Sequence, residues 1–118
     1  MKFTTPLTRN HEFKRLYSKG KNAASQYAVV YCRRNGMLVN RLGITVSTKV
    51  GGAVVRNRVR RRFKEIYRLF ECQLSEGHDI VLVARVKSRY SSYAELDDAI
   101  QSLFRKLNLT RSDVQGKL

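Results

Sequence analysis

Six basic side chains, Arg56, Arg58, Arg60, Arg61, Arg62 and Lys64, fall within nine residues. Lys49-Val50-Gly51-Gly52 leads into the run, and one amide, Asn57, interrupts it. Cations at this density have the chemistry of a polyanion binder. Each guanidinium offers a planar fork that can bridge phosphate oxygens, and a face that can stack on an unpaired base. Apolar residues recur at Val55, Val59, Phe63, Ile66 and Phe70, the period of one helix face. At about 100° per residue, Asn57, Arg61, Lys64 and Arg68 point away from that stripe. Arg56, Arg58 and Arg62 lie nearer its edges, where their stems can cover apolar surface while the heads reach solvent.

A solvated helix face or a localisation signal is the plainer reading of a basic run. The energetics count against it. Arg56 with Arg60 and Arg60 with Lys64 are like charges four residues apart, which weaken a helix, and only Glu65 offers local neutralisation. A sequence that accepts this cost has a polyanion to offset it.

Catalytic patterns are absent from the chain. His11 and His78, the only histidines, have no sequence-local carboxylate or nucleophile. Asp97 and Asp98 are adjacent on a helical stretch and diverge by about 100°, a poor acid/base pair. Gly51-Gly52 lacks the spacing and the Gly-Lys-Ser/Thr of a phosphate loop. Cys32 and Cys72 have no CxxC spacing, which argues against zinc and for two ordinary thiols in a reduced compartment.

The remaining elements must hold the basic helix. At 118 residues the chain is read as a single domain, 1–118, with one modest core. Its net charge is +15, and eighteen cations against nine acids remain when the six are set aside. Broad basicity without a long apolar segment points to nucleic acid before membrane, and to a soluble cytosolic protein. Residues 1–9 read as an extended arm. A helix over His11–Lys19, capped by Thr8 or Asn10 and closed by Gly20, carries Phe13, Leu16 and Tyr17 on one face.

Gln26–Arg34 alternates as a strand, with Tyr27, Val29 and Tyr31 on one face and Ala28, Val30 and Cys32 on the other. Asn35-Gly36 predicts a two-residue hairpin into an antiparallel partner at about Asn40–Thr48. Ile80–Ala84 is a continuous apolar run, the mark of a strand covered on both faces. The basic loop Arg85, Lys87 and Arg89 follows it. Ser92-x-x-Glu95 then makes a capping box for a last helix with a stripe of Tyr93, Leu96, Ile100, Leu103, Phe104 and Leu107. The expected order is αββαβα, an α+β sandwich with helices on a small mixed sheet and a frayed tail over 108–118.

The stretch Lys49 to Lys64, with its Gly, Ala-Val and Arg-Asn-Arg followed by further basic residues, resembles the signature of the bacterial ribonuclease P protein subunit. The likeness extends over Asn10-His11-Glu12-Phe13 to Gly20, the aromatic strand ending at Tyr31, Leu42-Gly43-Ile44-Thr45-Val46-Ser47, Ile80–Ala84 and the Ser92–Leu107 helix. The resemblance implies a partner, a large catalytic RNA that hydrolyses precursor tRNA to free the mature 5′ end. It also implies Mg²⁺ as the cofactor, held mainly by that RNA. The protein would bind both the RNA and the single-stranded 5′ leader of the substrate. It implies a rare left-handed crossover from the second strand through the arginine helix to the third, and leaves open whether the holoenzyme dimerises.

Carried onto this chain, Lys49, Gly51, Gly52, Arg56, Asn57, Arg58, Arg60, Arg61, Arg62, Lys64 and Arg68 are the expected contacts to the catalytic RNA. The two glycines would let the backbone approach RNA or turn sharply into the helix, whose N-terminus favours phosphate. Asn57 would fix position or hold a metal-bound water, with a cap or loop contact as the alternative. A central cleft for the leader is implied, with Phe13, Tyr17 and Tyr31 at matching positions and Tyr27 on the same strand face. Ser47 and Lys49 could meet the leader backbone at its end. A ribosomal or RNA-chaperone protein would share the charge and need no leader groove. A protein nuclease would need a metal-binding carboxylate cluster that the chain does not display.

Overall fold

In a computed structural model that describes residues 1–111, the apolar run Ile80–Ala84 lies in the central strand of a five-stranded mixed sheet. In chain order the elements are β1 (Thr4–Pro6), α1 (Asn10–Lys19), β2 (Lys21–Ala24), β3 (Ala28–Arg34), β4 (Asn40–Thr45), α2 (Ala53–Phe70), β5 (His78–Ala84) and α3 (Tyr93–Lys106). Short 3-10 turns follow α2 at Glu71–Gln73 and β5 at Val86–Tyr90. The strand order is β1-β4-β5-β3-β2. The architecture is the expected α+β one, with two strands more than the sequence reading.

β5 is buried on both faces, which is why its sequence is continuously apolar. Ile80, Leu82 and Ala84 point into the larger core with α2 and α3, while Val81 meets Leu7 and Leu16 on the α1 side. The predicted hairpin does not form. β3 runs antiparallel to β5 and to β2, whereas β4 runs parallel to β5 on its other side. Asn35-Gly36 does reverse the chain: Gly36 has φ 73°, and the Asn35 carboxamide accepts from the Met37 amide at 2.8 Å. The two strands then diverge, and β5 enters between them.

β4 and β5 are parallel neighbours joined through α2, so this crossover carries the basic helix across the sheet. Val59, Phe63, Ile66, Tyr67 and Phe70 of α2 are buried, each contributing on the order of 1.5–3 kcal/mol. The Phe104 ring of α3 meets Tyr67 edge-on at 6.3 Å and stacks on Phe70 at 5.4 Å. This packing fixes the rotation of α2 about its axis and therefore the direction of its arginines. The α3 capping box is present, with Glu95 N donating to Ser92 Oγ and Ser92 N to Glu95 Oε1. Along its stripe Tyr93 is exposed, because it stands at the helix start beyond the core.

Both chain ends are tied into the fold. Residues 1–9 are extended, as expected, but do not hang free: β1 pairs parallel with β4, and Leu7 is buried. The Lys2 and Phe3 amides donate to the buried Glu71 carboxylate at 2.8 and 3.1 Å, and the Thr4 and Tyr67 hydroxyls meet at 2.9 Å. Burial pushes the Tyr67 phenol up to about 12. Burial alone would raise the Glu71 carboxyl too, but hydrogen bonds from Thr4, Lys2 and Phe3 and the N-terminal charge hold it below its usual value. Nor is the segment 108–111 frayed. Leu109 is buried, and Ser75 N to Leu109 O and Arg111 N to Gln73 O tie it to the turn after α2. The rest of the expected tail, 112–118, lies outside the described residues.

Candidate nucleic-acid interface

Two helices on opposite faces of the sheet carry the candidate surfaces. α1 packs by Leu16, with Gly20 N closing the helix on Leu16 O at 2.9 Å. Its N-cap is Arg9, with no side-chain cap bond, so neither Thr8 nor Asn10 plays the predicted capping role. What fixes α1 is an ion triad. Arg41 of β4 donates to Asp79 of β5 through Nε and Nη2 at 2.8 and 2.7 Å, and through Nη1 to Glu12 of α1.

The aromatic residues of α1 then meet the sheet. Phe13 and Tyr17 lie with ring centroids 6.5 Å apart, and Tyr17 packs edge-on to Tyr31 at 4.9 Å. The hydroxyls of Tyr17 and Thr45 are 3.2 Å apart. Phe13 and Tyr31 are half-buried and Tyr17 is 42 % exposed, so the cluster is anchored yet open. Phe13 also lines a groove of about 420 Å³ that passes β1 and Gly43 and reaches Arg60 and Lys64 of α2. The sequence reading kept these cations and Phe13 on separate surfaces. The groove at the β1 edge joins them.

Tyr27 is elsewhere. It stands in the bend before β3, packs against the larger core and donates its hydroxyl to Glu95 of α3 at 2.9 Å. It does not share the Tyr31 face, because regular alternation begins only at Ala28. Ser47 and Lys49 are exposed in the turn between β4 and α2.

On α2 the expected outward residues Asn57, Arg61, Lys64 and Arg68 are all exposed. Their engagement differs. Arg68 is paired with Glu65 at 2.6 Å. Arg56 Nε donates to Gly51 O, Arg58 Nη2 to Arg89 O at 3.0 Å and Arg62 Nη1 to Ser91 O at 3.1 Å. Arg60 Nη1 reaches Asn57 Oδ1 at 3.5 Å. Arg58 and Arg62 thus act first as struts holding the loop after β5, with other N–H groups left to offer. Gly52 is the α2 N-cap without a side-chain cap bond, and the first turn carries no acid, which leaves its amide donors available to an anion.

Gly43, Thr45, Arg41 and the groove role of Arg60 and Lys64 escaped sequence reasoning. Only Gly43 left a trace, as a glycine inside an alternating strand, a mark of close approach.

An open aromatic cluster, a groove running from it to cations and a helix presenting arginines on a folded core define an RNA-binding α+β domain. The family profile named Ribonuclease P matches residues 1–108, and the chain belongs to this family. It is 41 % identical to the ribonuclease P protein component of Alkaliphilus metalliredigens, over 92 % of this chain and 98 % of that one. It is 44 % identical to that of Caldanaerobacter subterraneus, over 89 % and 90 %. The structure of the Staphylococcus aureus RNase P protein superposes with a TM-score of 0.83 at 27 % identity, covering 90 % of this chain and 97 % of that one. That of Thermotoga maritima gives 0.76 at 31 % identity, covering 82 % and 92 %. The chain is therefore a protein component of a bacterial ribonucleoprotein enzyme, partnered with the ribonuclease P RNA and acting in tRNA 5′ maturation. No helix among the described residues is long and apolar enough to cross a membrane.

Proposed function

We propose that this chain docks on the catalytic RNA through α2 and holds the single-stranded 5′ leader of precursor tRNA on the aromatic cluster of α1 and β3. The observation that carries this reading is the continuity of Phe13, Tyr17 and Tyr31 with a groove ending at Arg60 and Lys64. Aromatic faces with cations along one track are what a single strand needs, because every base has a π face and every linkage a charge. Lys49 and Ser47 lie in the turn before α2, and the uncapped helix start at Gly51-Gly52 offers amides to a phosphate.

Hydrolysis falls to the RNA and its Mg²⁺ ions. Five carboxylates among the described residues are already engaged within the fold: Glu12 and Asp79 with Arg41, Glu65 with Arg68, Glu71 with the N-terminal amides and Glu95 with the α3 cap. Asn57, exposed on the docking face, would fix position there or hold a metal-bound water. The bacterial cytoplasm, where precursor tRNA is made, is the site of action.

Binding of precursor tRNAs with leaders of increasing length to the reconstituted holoenzyme tests the reading. Affinity should rise as the leader extends and level off once the cleft is filled. Affinity independent of leader length would remove the leader-holding role.

A further inference from the structure

The loop after β5, singled out by Arg85, Lys87 and Arg89, has no part in either surface described so far. We propose that Arg89 and Tyr90 form a second stacking platform, beside α2, that receives an unpaired base of the catalytic RNA. Tyr90 is 76 % exposed, the most exposed aromatic side chain among the described residues. The Arg89 guanidinium lies 5.4 Å from its ring centroid, so a cation covers one side of the ring and the other stands open.

The platform is rigid. Arg58 and Arg62 of α2 hold the carbonyls of Arg89 and Ser91. Within the turn, Ser88 Oγ donates to Arg85 O at 2.6 Å and Ser91 Oγ to Ser88 O at 3.0 Å, and both serines are buried. An aromatic ring on a fixed turn binds with little ordering cost. Beside it, a pit of about 350 Å³ is lined by Arg58, Arg61, Arg62, Glu65 and Tyr93, where the flanking phosphates can lie. Glu95, the carboxylate nearest to the platform in sequence, is engaged by the α3 cap, and Glu65, which lines the pit, by Arg68.

This surroundings of cations favours nucleic acid over an apolar protein partner. The turn packs against α2, on the face of the sheet opposite α1, so the occupant belongs to the catalytic RNA rather than to the leader. The inference rests on α2 being the docking face for that RNA.

The test is equilibrium titration of the full-length protein with the catalytic RNA across a salt series, for wild type, Y90F, Y90A and R89A, with chemical probing of unpaired bases in each complex. Y90F should bind as wild type. Y90A should bind roughly 5- to 100-fold more weakly with an unchanged salt slope, and one base shielded by wild type should regain reactivity. R89A should also make the slope shallower, and the preference for leader-bearing over mature tRNA should stay intact in all variants. Wild-type-like binding by Y90A, or a Y90A defect confined to leader-bearing tRNA, overturns the inference while leaving the docking role of α2 standing. Failure of the wild-type protein to bind the RNA at all would overturn both.

Discussion

Phe13 of α1 lies directly on Gly43 of β4: a Cβ at position 43 would sit 2.5 Å from Phe13 Cζ and 2.6 Å from Cε1. The glycine is the floor on which the ring rests, and it sets how deep the groove is beside β1. Gly43→Ala forces the ring aside, and because the clash is with the far end of a side chain the fold can absorb it. The expected outcome is a melting temperature within several degrees of wild type, together with a loss of leader-bearing tRNA affinity close to that of Phe13→Ala. Unchanged affinity in Gly43→Ala would separate the ring's position from leader binding.

Phe13→Ala and Tyr31→Ala each remove one aromatic face. Holoenzyme binding of leader-bearing tRNA should weaken by about 1–3 kcal/mol for each, with mature tRNA affected far less. Tyr27→Phe, which removes only the hydroxyl on Glu95, should leave the ratio of the two affinities untouched. Equal losses on both tRNAs would show that the cluster does not meet the leader.

Arg61 and Arg62 are neighbours with different duties. Arg61 stands exposed, so Arg61→Ala should leave thermal stability unchanged and make the salt dependence of RNA binding shallower by roughly 0.7–0.9. Arg62 holds the Ser91 carbonyl, so Arg62→Ala should cost on the order of 1 kcal/mol, seen as a melting point lower by about 4 °C. Thermal melts and a salt titration of both variants distinguish the duties. Indistinguishable variants would deny the strut.

The Glu71 carboxyl is held below its usual value in the folded state, so the ionised form is favoured by folding. Its contribution is fully present above the unfolded carboxylate pKa of about 4.3 and is lost as pH falls through the lower folded value. Glu71→Gln should flatten this acid limb in melting curves taken as a function of pH. It should also speed amide exchange in β1, whose lead-in at Lys2 and Phe3 would lose its acceptor. An unaltered acid limb would assign the pH dependence to other carboxylates.

How much of this was legible beforehand depended on whether the signal was local. The α2 stripe, the Ser92–Glu95 capping box and the doubly buried β5 are written in spacings of a few residues, and each stands as read. The Asn35-Gly36 turn was read correctly as a reversal and wrongly as a pairing, because turn chemistry directs the chain but does not choose its neighbour. β5, over forty residues on, supplies that neighbour for both strands. β1 and β2 are too short and polar to show periodicity, and they form because the sheet edges offer unpaired backbone groups. Phe13, Tyr17 and Tyr31 came together as the family resemblance implied. Tyr27 did not, since the expected strand starts at Gln26 and β3 starts two residues later, at Ala28. Arg41 bridging Glu12 and Asp79 had no sequence signature, as ion triads assembled from three elements have none.

The most direct test of the central claim is multiple-turnover cleavage of precursor tRNA by the bacterial catalytic RNA at low Mg²⁺, with and without this protein. Mature 5′ ends should accumulate markedly faster with the protein present, and the advantage should shrink as Mg²⁺ is raised. Equal rates with and without the protein at low Mg²⁺ would contradict its role as the protein partner in tRNA 5′ maturation.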